Sequence, residues 1–582
     1  MGDYDLIIRG GRICDGTGLP SFVGDLAVSD GKVAKIDGLR RATAERELDA
    51  EGLVVAPGFV DLHTHYDAQV FWDPYCSISG WHGVTSVVMG NCGFGFAPVR
   101  PEDRERAMLM LTRNEQISLE AMRLGIPWDW ETFPEFLDSL DRLPKAVNCT
   151  SLTPLTPLMS YAMGGIDESK TRKPTTVEVE EMKRLLHVAM DAGACGFSLQ
   201  KLGENSMQAD YDGTPMITDT MDDELILEFG SVLAERGEGF VQLTYAPLDS
   251  KLDLATVFAS DHNQKFVEEL AAVSGRPVLH NAIQAIAVFP DAHRGALAWL
   301  ESANRNGHRV LGQADHVRNW YEFTFEDFSF ADSAPSWRDC LVGEPGDVLH
   351  RLADPEIREQ MRNEEHLLVA LALGASIPKF TLTATGGTSS LDHYVGRSMA
   401  DIAETEGRHH VDVLLDIALD SKLKAEFKST FVKEPVAEYN AEILKSPYTM
   451  AGISDGGAHT KFFIGGAYPT DMIRWLVREE GLLTLEEAHM KLSYLPAHAA
   501  GLTDRGFLRE GFPADIVVYD YENLAPEPDF SYEQVFDLPG GDWRRIQRAN
   551  GYRWVLVNGE ITIESDKETD ARPGRLLRHG RG

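Results

Sequence analysis

The sequence predicts an α/β protein built on a (β/α)8 TIM barrel, with a small β unit drawn from both chain ends and a helical insertion before the last barrel strand. Three observations predict it. Short apolar strand candidates, eight in all, alternate with helical patterns through the middle of the 582-residue chain. Strand and hairpin patterns recur at both ends, and termini that lie close together can complete one sheet. The stretch V-V-A-P-G-F-V-D-L-H-T-H-Y-D, residues 54–67, sets chemistry-bearing side chains at the end of the first strand.

Taken in order, residues 5–10 read as a strand, and 25–28 and 32–36 as a hairpin around Ser29-Asp30-Gly31. Residues 47–55 add another strand. In the tail, residues 514–519, 552–557 and 560–563 are strands, with the hairpin dipeptide Asn558-Gly559 between the last two. The barrel strands are expected at 59–62, 85–89, 146–150, 194–199, 239–244, 277–283, 310–314 and 448–453. A long helix over 176–192 precedes the fourth of these. The gap before the last strand is too long for an unstructured loop, so 347–373 and 399–433 read as extra helices. K-F-T-L-T-A-T at 379–385 competes as a strand. The domains are then 1–56, 57–500 with an insertion over about 320–445, and 501–582.

Net charge is −36, which argues against nucleic acid and anionic membranes as partners. No apolar run reaches the ~18 residues of a membrane span. The start lacks a basic leader, and six scattered cysteines form no disulfide framework, so a reduced, cytoplasmic chain is expected. A small-molecule substrate and a homo-oligomer are the expected partners.

Barrel sites form at the carboxyl ends of the strands. Those ends carry His63 and His65, Cys92, Lys201, Thr244 and Tyr245, His280, Asp315 and His316, and Asp455. His63 and His65 stand two apart on a strand and share a face, and neutral imidazole is the commonest zinc ligand. Cys92 reads as a structural cysteine by itself and as a thiolate ligand beside a cation. Asp455 reads either as a helix N-cap or as a metal ligand that takes a proton from water. His280 is a ligand or a core histidine. Tyr245, His316, His459 and Lys461 are candidate substrate contacts on the same rim.

F-V-D-L-H-T-H, S-D-G-G at 454–457 and R-G-F-L-R-E-G-F-P-A-D-I-V-V-Y-D at 505–520 resemble the amidohydrolase superfamily over nearly the whole chain. Gly90-Asn91-Cys92-Gly93 narrows the resemblance to the N-acyl-D-amino-acid deacylase branch, where a cysteine replaces a carbamylated lysine. The resemblance implies a barrel with a β-sandwich from both termini, one or two zinc ions, and hydrolysis of an amide bond by a metal-activated water. It assigns His63, His65, Cys92 and Asp455 as ligands, with Asp455 also the base. The chain departs from the pattern at three points. F-V-Q-L-T-Y-A-P lacks the fifth-strand histidine, L-H-N displaces His280, and Gly457-Ala458-His459-Thr460-Lys461 replaces His-Pro-Arg. These departures predict one firmly held ion, and leave Lys461 or Arg474 to meet a substrate carboxylate. The alternatives are a hydrolase of cyclic amides, imides or lactones, which a substrate panel separates, and a metal-free binding module, which a metal assay separates. A carbamylated Lys201 in place of Cys92 is a further alternative.

Overall fold

The computed structural model describes residues 2–248, 261–285, 291–316, 318, 320–327, 329–371, 376–431 and 436–580. Eight parallel strands run through the middle of the chain, each on a stretch expected from sequence. They are β1 (Phe59–Asp61), β2 (Val84–Met89), β3 (Asn148–Ser151), β4 (Gly196–Gly203), β5 (Phe240–Leu248), β6 (Val278–Ile283), β7 (Val310–Ala314) and β8 (Thr449–Met450). β8 is shorter than its apolar run, because Gly452 turns away at φ 127°.

Pairing follows chain order. β1, β2 and β3 form one arc; β4 to β8 form another; Thr153–Pro154, just beyond β3, pairs with β4. A parallel bridge between Thr64 and Gly456 ties the segment after β8 to the segment after β1. β2 is buried along its whole length, which is why V-T-S-V-V-M does not alternate as a one-faced strand would. The helix Thr176–Ala192 before β4 starts with a Thr175–Glu178 capping box and stops at Gly193, φ 112°.

Register decides which side chains face inward. Gln242, Leu279 and Leu311 form one row across β5 to β7, and Gln200, Thr244, Asn281 and Gln313 another across β4 to β7. Leu279 and Leu311 pack with Val60, Leu62, Val88 and Met450, and the Asn281 amide donates to Thr244 Oγ1 at 3.1 Å. These rows therefore face inward. Lys201 and Tyr245, and Leu243 and His280, are paired in the intervening rows and face the helices.

The chain ends build one nine-stranded sheet. Ile516–Tyr519 pairs antiparallel with Val54–Pro57, stitching the C-terminal strands to the N-terminal ones. Ile8, Leu26, Val28, Val55, Ile516, Val518 and Leu556 fill one of its faces. Asn558 and Gly559 sit at φ 47° and 86°, as the tight hairpin between Tyr552–Val557 and Glu560–Glu564 requires.

The insertion differs from the helical expectation. It contains the helices Pro345–Leu352, Pro355–Leu371, Met399–Glu406 and His410–Asp420, but also a three-stranded antiparallel sheet. Trp320–Phe323 and Thr381–Ala384 flank Glu426–Phe431 in that sheet. The competing strand in K-F-T-L-T-A-T thus forms, outside the parallel set. The period-two pattern of E-F-K-S-T-F also prevails over the expected helix. Phe323, Phe427, Trp337 and Leu414 give the insertion its own core. Residues 372–373 and 432–433 of the two expected helical stretches lie outside the described residues. No helix among the described residues is long and apolar enough to cross a membrane.

Candidate metal centre

His63 and His65 follow β1 where the chain meets the segment after β8. The amides of Ser454 and Asp455 donate to His63 O at 3.3 and 3.1 Å, and His65 N donates to Gly456 O at 2.7 Å. Glycine is required in this seam: Gly457 sits at φ 92°, and a Cβ there would lie 2.5 Å from His65 O. Asp61 braces the turn, accepting from His63 N at 3.4 Å and Ser79 Oγ at 3.0 Å. Cys92 follows β2, with its amide held by Gln242 Oε1 at 2.7 Å.

These segments bring His63, His65 and Cys92 together, all buried, with ligand atoms within 4.8 Å of one another. Cys92 Sγ is 3.2 Å from His63 Nε2. Asp455 Oδ1 is 3.3 Å from His63 Nε2 and 3.8 Å from His65 Nε2, and its side chain is 26% exposed. Cys92 and Asp455 hold left-handed backbones, φ 55° and 48°, a cost that non-glycine residues bear mostly at functional sites. No helix follows Asp455 until Tyr468–Met472, so the N-cap role is not used.

The electrostatics fit a cation. Burial pushes the Cys92 thiol well above its usual value, with Glu115 and Asp455 adding to the effect. Burial also lowers His63 and His65, keeping both imidazoles neutral. Neutral imidazoles are ready ligands, and a divalent ion beside the thiol would reverse its shift and hold it as thiolate. A donor set of two nitrogens and a sulfur suits zinc.

Six residues expected at the site meet partners other than His63, His65 and Cys92. His280 faces outward and meets Trp299 edge-on with ring centroids 5.4 Å apart; burial lowers it to about 4. It does not join His63, His65 and Cys92, because Asn281 takes the inward position on β6. Tyr245 also faces outward, stacking on Phe266 and donating to Asp223 Oδ2 at 3.0 Å. Lys201 ion-pairs with that same Asp223 at 2.5 Å, which corrects the carbamylated-lysine alternative. Lys461 pairs with Asp542 at 3.4 Å and lies over Trp543. Arg474, the other candidate for a carboxylate, is held by Glu479 and Asp529. His316 is buried after β7, its Nδ1 3.3 Å from Ala314 O and its ring edge-on to Tyr468. An expected result follows for the first of these: His280→Phe keeps its firmly held metal, measured as ions per chain after dialysis.

Two contributors, Gln242 and Glu115, were not expected from the sequence, while Thr244 was expected at a strand end. Gln242 and Thr244, on the inward face of β5, touch Cys92, with Thr244 Oγ1 3.7 Å from Sγ. Glu115 follows the helix Arg104–Asn114 and is fully buried; its Oε2 lies 3.2 Å from His459 Nε2 and 3.7 Å from His65 Nε2. Nothing in R-N-E-Q-I-S marks that residue, whereas the alternation of F-V-Q-L-T, which puts Gln242 on the face of Thr244, could have flagged Gln242.

Comparison with known proteins finds relatives along nearly the whole chain. A family model described as "Amidohydrolase family" matches residues 46–228 and 399–563, more than half of the chain. An N-acyl-D-aspartate deacylase of Alcaligenes xylosoxydans xylosoxydans is 28% identical, covering 99% of this chain and 95% of its own length. A D-aminoacylase of the same organism is 25% identical, covering 99% and 97%. Among solved structures, a D-aminoacylase studied for its binuclear metal centre superposes with a TM-score of 0.67 at 22% identity, covering 99% of this chain and 100% of its own. An N-acyl-D-glutamate deacylase from Bordetella bronchiseptica, complexed with zinc and a phosphonate inhibitor, gives a TM-score of 0.64 at 24% identity, with 99% of each chain covered. The chain belongs to the amidohydrolase family.

Proposed function

We propose that this chain is a metal-dependent hydrolase of a non-peptide amide bond, acting as a deacylase on N-acyl amino acids. The observation that carries the reading is the buried convergence of His63, His65 and Cys92 with Asp455 at its open side. The deacylase relatives along the whole chain support it. The parallel strands are read as one (β/α)8 barrel spanning 57–500, with 1–56 and 501–582 forming the accessory β domain.

His63, His65 and Cys92 would hold a zinc ion, with Asp455 as a further ligand. When bound, the ion supplies Lewis acidity to the scissile carbonyl and lowers the pKa of water from 15.7 towards roughly 7. The rest falls to the chain's own groups. Asp455 Oδ1 accepts the proton of the attacking water and returns it to the departing nitrogen, which leaves poorly as an anion.

A second reading is hydrolysis of a cyclic amide, imide or lactone. The pairing of Lys461 with Asp542, and of Arg474 with Asp529, favours it, since neither cation is left to receive a substrate carboxylate. One experiment separates the two. The zinc-loaded protein is assayed on N-acyl-D-amino acids beside cyclic amides, imides and lactones, and metal per chain is measured after dialysis. The expected outcome is hydrolysis of the N-acyl amino acids that a chelator abolishes and zinc restores, with one ion firmly retained. Turnover confined to cyclic substrates selects the second reading. A protein that retains no ion and hydrolyses nothing on adding zinc overturns both.

A further inference from the structure

The turn that carries Cys92 is pinned from two strands. On β4, Ser198 Oγ accepts from Gly93 N at 3.0 Å and donates to Gly90 O. On β5, Gln242 Oε1 accepts from Cys92 N at 2.7 Å. Ser198 and Gln242 are register partners on the inward face, so both reach the same turn. Together they hold Cys92 at its left-handed φ of 55°. The next inward row carries Thr244, with Asn281 of β6 in register beside it. Thr244 Oγ1 lies 3.7 Å from Cys92 Sγ. The sulfur therefore meets a hydroxyl as well as His63 Nε2, which is 3.2 Å away.

Either atom of the Sγ and Oγ1 pair could be the donor, and the neighbours of Thr244 decide between them. A backbone N–H can only donate, so the Gln242 atom facing Cys92 N is the carbonyl oxygen. The Nε2 of that amide is thereby turned to Thr244 Oγ1, at 3.4 Å. The Asn281 amide donates to the same oxygen at 3.1 Å. A hydroxyl has two lone pairs and one proton. With an amide N–H on each lone pair, Thr244 has only its proton left for the sulfur. The arrangement closes on itself: the backbone amide of Cys92 sets Gln242, Gln242 helps to set Thr244, and Thr244 turns its O–H to the sulfur of Cys92.

We propose that Thr244 is a positioning residue for the Cys92 thiolate: its hydroxyl, set by Gln242 and Asn281, donates to Sγ and fixes where the remaining sulfur lone pairs point. This rests on the reading of His63, His65 and Cys92 as the metal centre. A buried thiolate has no water to solvate it, and a fixed hydroxyl donor stands in for that water. One lone pair is engaged by Thr244, and the others stay available on the side of His63 Nε2. The hydrogen bond also draws some charge off the sulfur, which tunes the bond it makes to a metal. The fifth strand thus acts on the centre through the sulfur and not as a ligand. Losing the hydroxyl should weaken metal binding and leave the thiolate more electron-rich.

The test is a Co2+ titration of the full-length protein, read without reference to turnover, with the thiolate-to-cobalt absorption band recorded at each step. Wild type is compared with Thr244→Val, which keeps the shape and removes the hydroxyl, and with Thr244→Ser, which keeps the hydroxyl. Thr244→Ala stands in for the valine variant should that one not fold, and thermal midpoints of the metal-free proteins are the check on folding. Thr244→Val is expected to bind cobalt about 10–100-fold more weakly, the usual scale for losing an outer-shell partner, with its band moved to longer wavelength. Thr244→Ser should lie near wild type in both. A band at the wild-type wavelength in the hydroxyl-free variant, whatever its affinity or midpoint, makes Thr244 a packing residue and overturns the proposal. A Thr244→Ser protein shifted as far as Thr244→Val overturns it equally. Failure of the metal centre itself reads differently: wild type would then show no such band at any cobalt concentration, or the band would persist in Cys92→Ala, and the role of Thr244 would fall with that reading.

Discussion

Asp455→Asn lowers turnover by ~10²-fold or more, the usual scale for removing a positioned general base. Asparagine keeps the size of the side chain and one ligating oxygen but cannot accept a proton as a carboxylate does. The backbone at this position is left-handed, φ 48°, a region that asparagine tolerates at least as well as aspartate. Thermal stability therefore stays close to that of the parent. The first metal ion is retained, because His63, His65 and Cys92 remain. The measurement is kcat of the purified variant on the best substrate of the panel, alongside metal content and thermal midpoint. Near-native turnover with a full metal complement would remove Asp455 from the proton path and leave it a spectator at the mouth.

Cys92→Ala is expected to release the firmly held ion and abolish hydrolysis while the chain stays folded. The thiol sits 3.2 Å from His63 Nε2, buried with both imidazoles, so its removal takes away the negatively charged soft ligand. Metal affinity should fall by more than the roughly 10–100-fold that losing an outer-shell partner costs. Alanine meets the same steric cost as cysteine at φ 55°, and the cavity left is a single sulfur in size, so the thermal midpoint of the metal-free proteins should be similar. Elemental analysis of both proteins after dialysis is the check. A variant that kept its ion would make Cys92 a packing residue. Because Lys201 is held by Asp223, the missing ligand would then be sought at Glu115.

The contrast between the expected ligands and the residues that miss the site has a single origin. His63, His65, Cys92 and Asp455 all lie just beyond a strand, on turns whose direction is set by local glycines and by the pairing of Thr64 with Gly456. Their motifs travel with those turns and were legible. Lys201, Tyr245 and His280 lie within β4, β5 and β6, where one residue of register separates the inward face from the outward one. Reading strand ends without their parity put Tyr245 and His280 in the site and left Gln242 and Asn281 out of it. In the insertion, length argued for helices, while the alternation in K-F-T-L-T-A-T and E-F-K-S-T-F carried the strands.

By itself, the sequence determined the order of the eight strands, the joining of both chain ends, and the histidine, cysteine and aspartate positions, because each is written in a local pattern of period, turn and spacing. Tertiary structure alone decided that Glu115 and His459, far apart in the chain, meet beside His65, and that His280 turns its ring to Trp299 instead. The physical reason is that a side chain's partner across the strand ends depends on strand register and on how a helix docks. Both are set by the packing of the whole core, and neither leaves a mark in the residues next to Glu115.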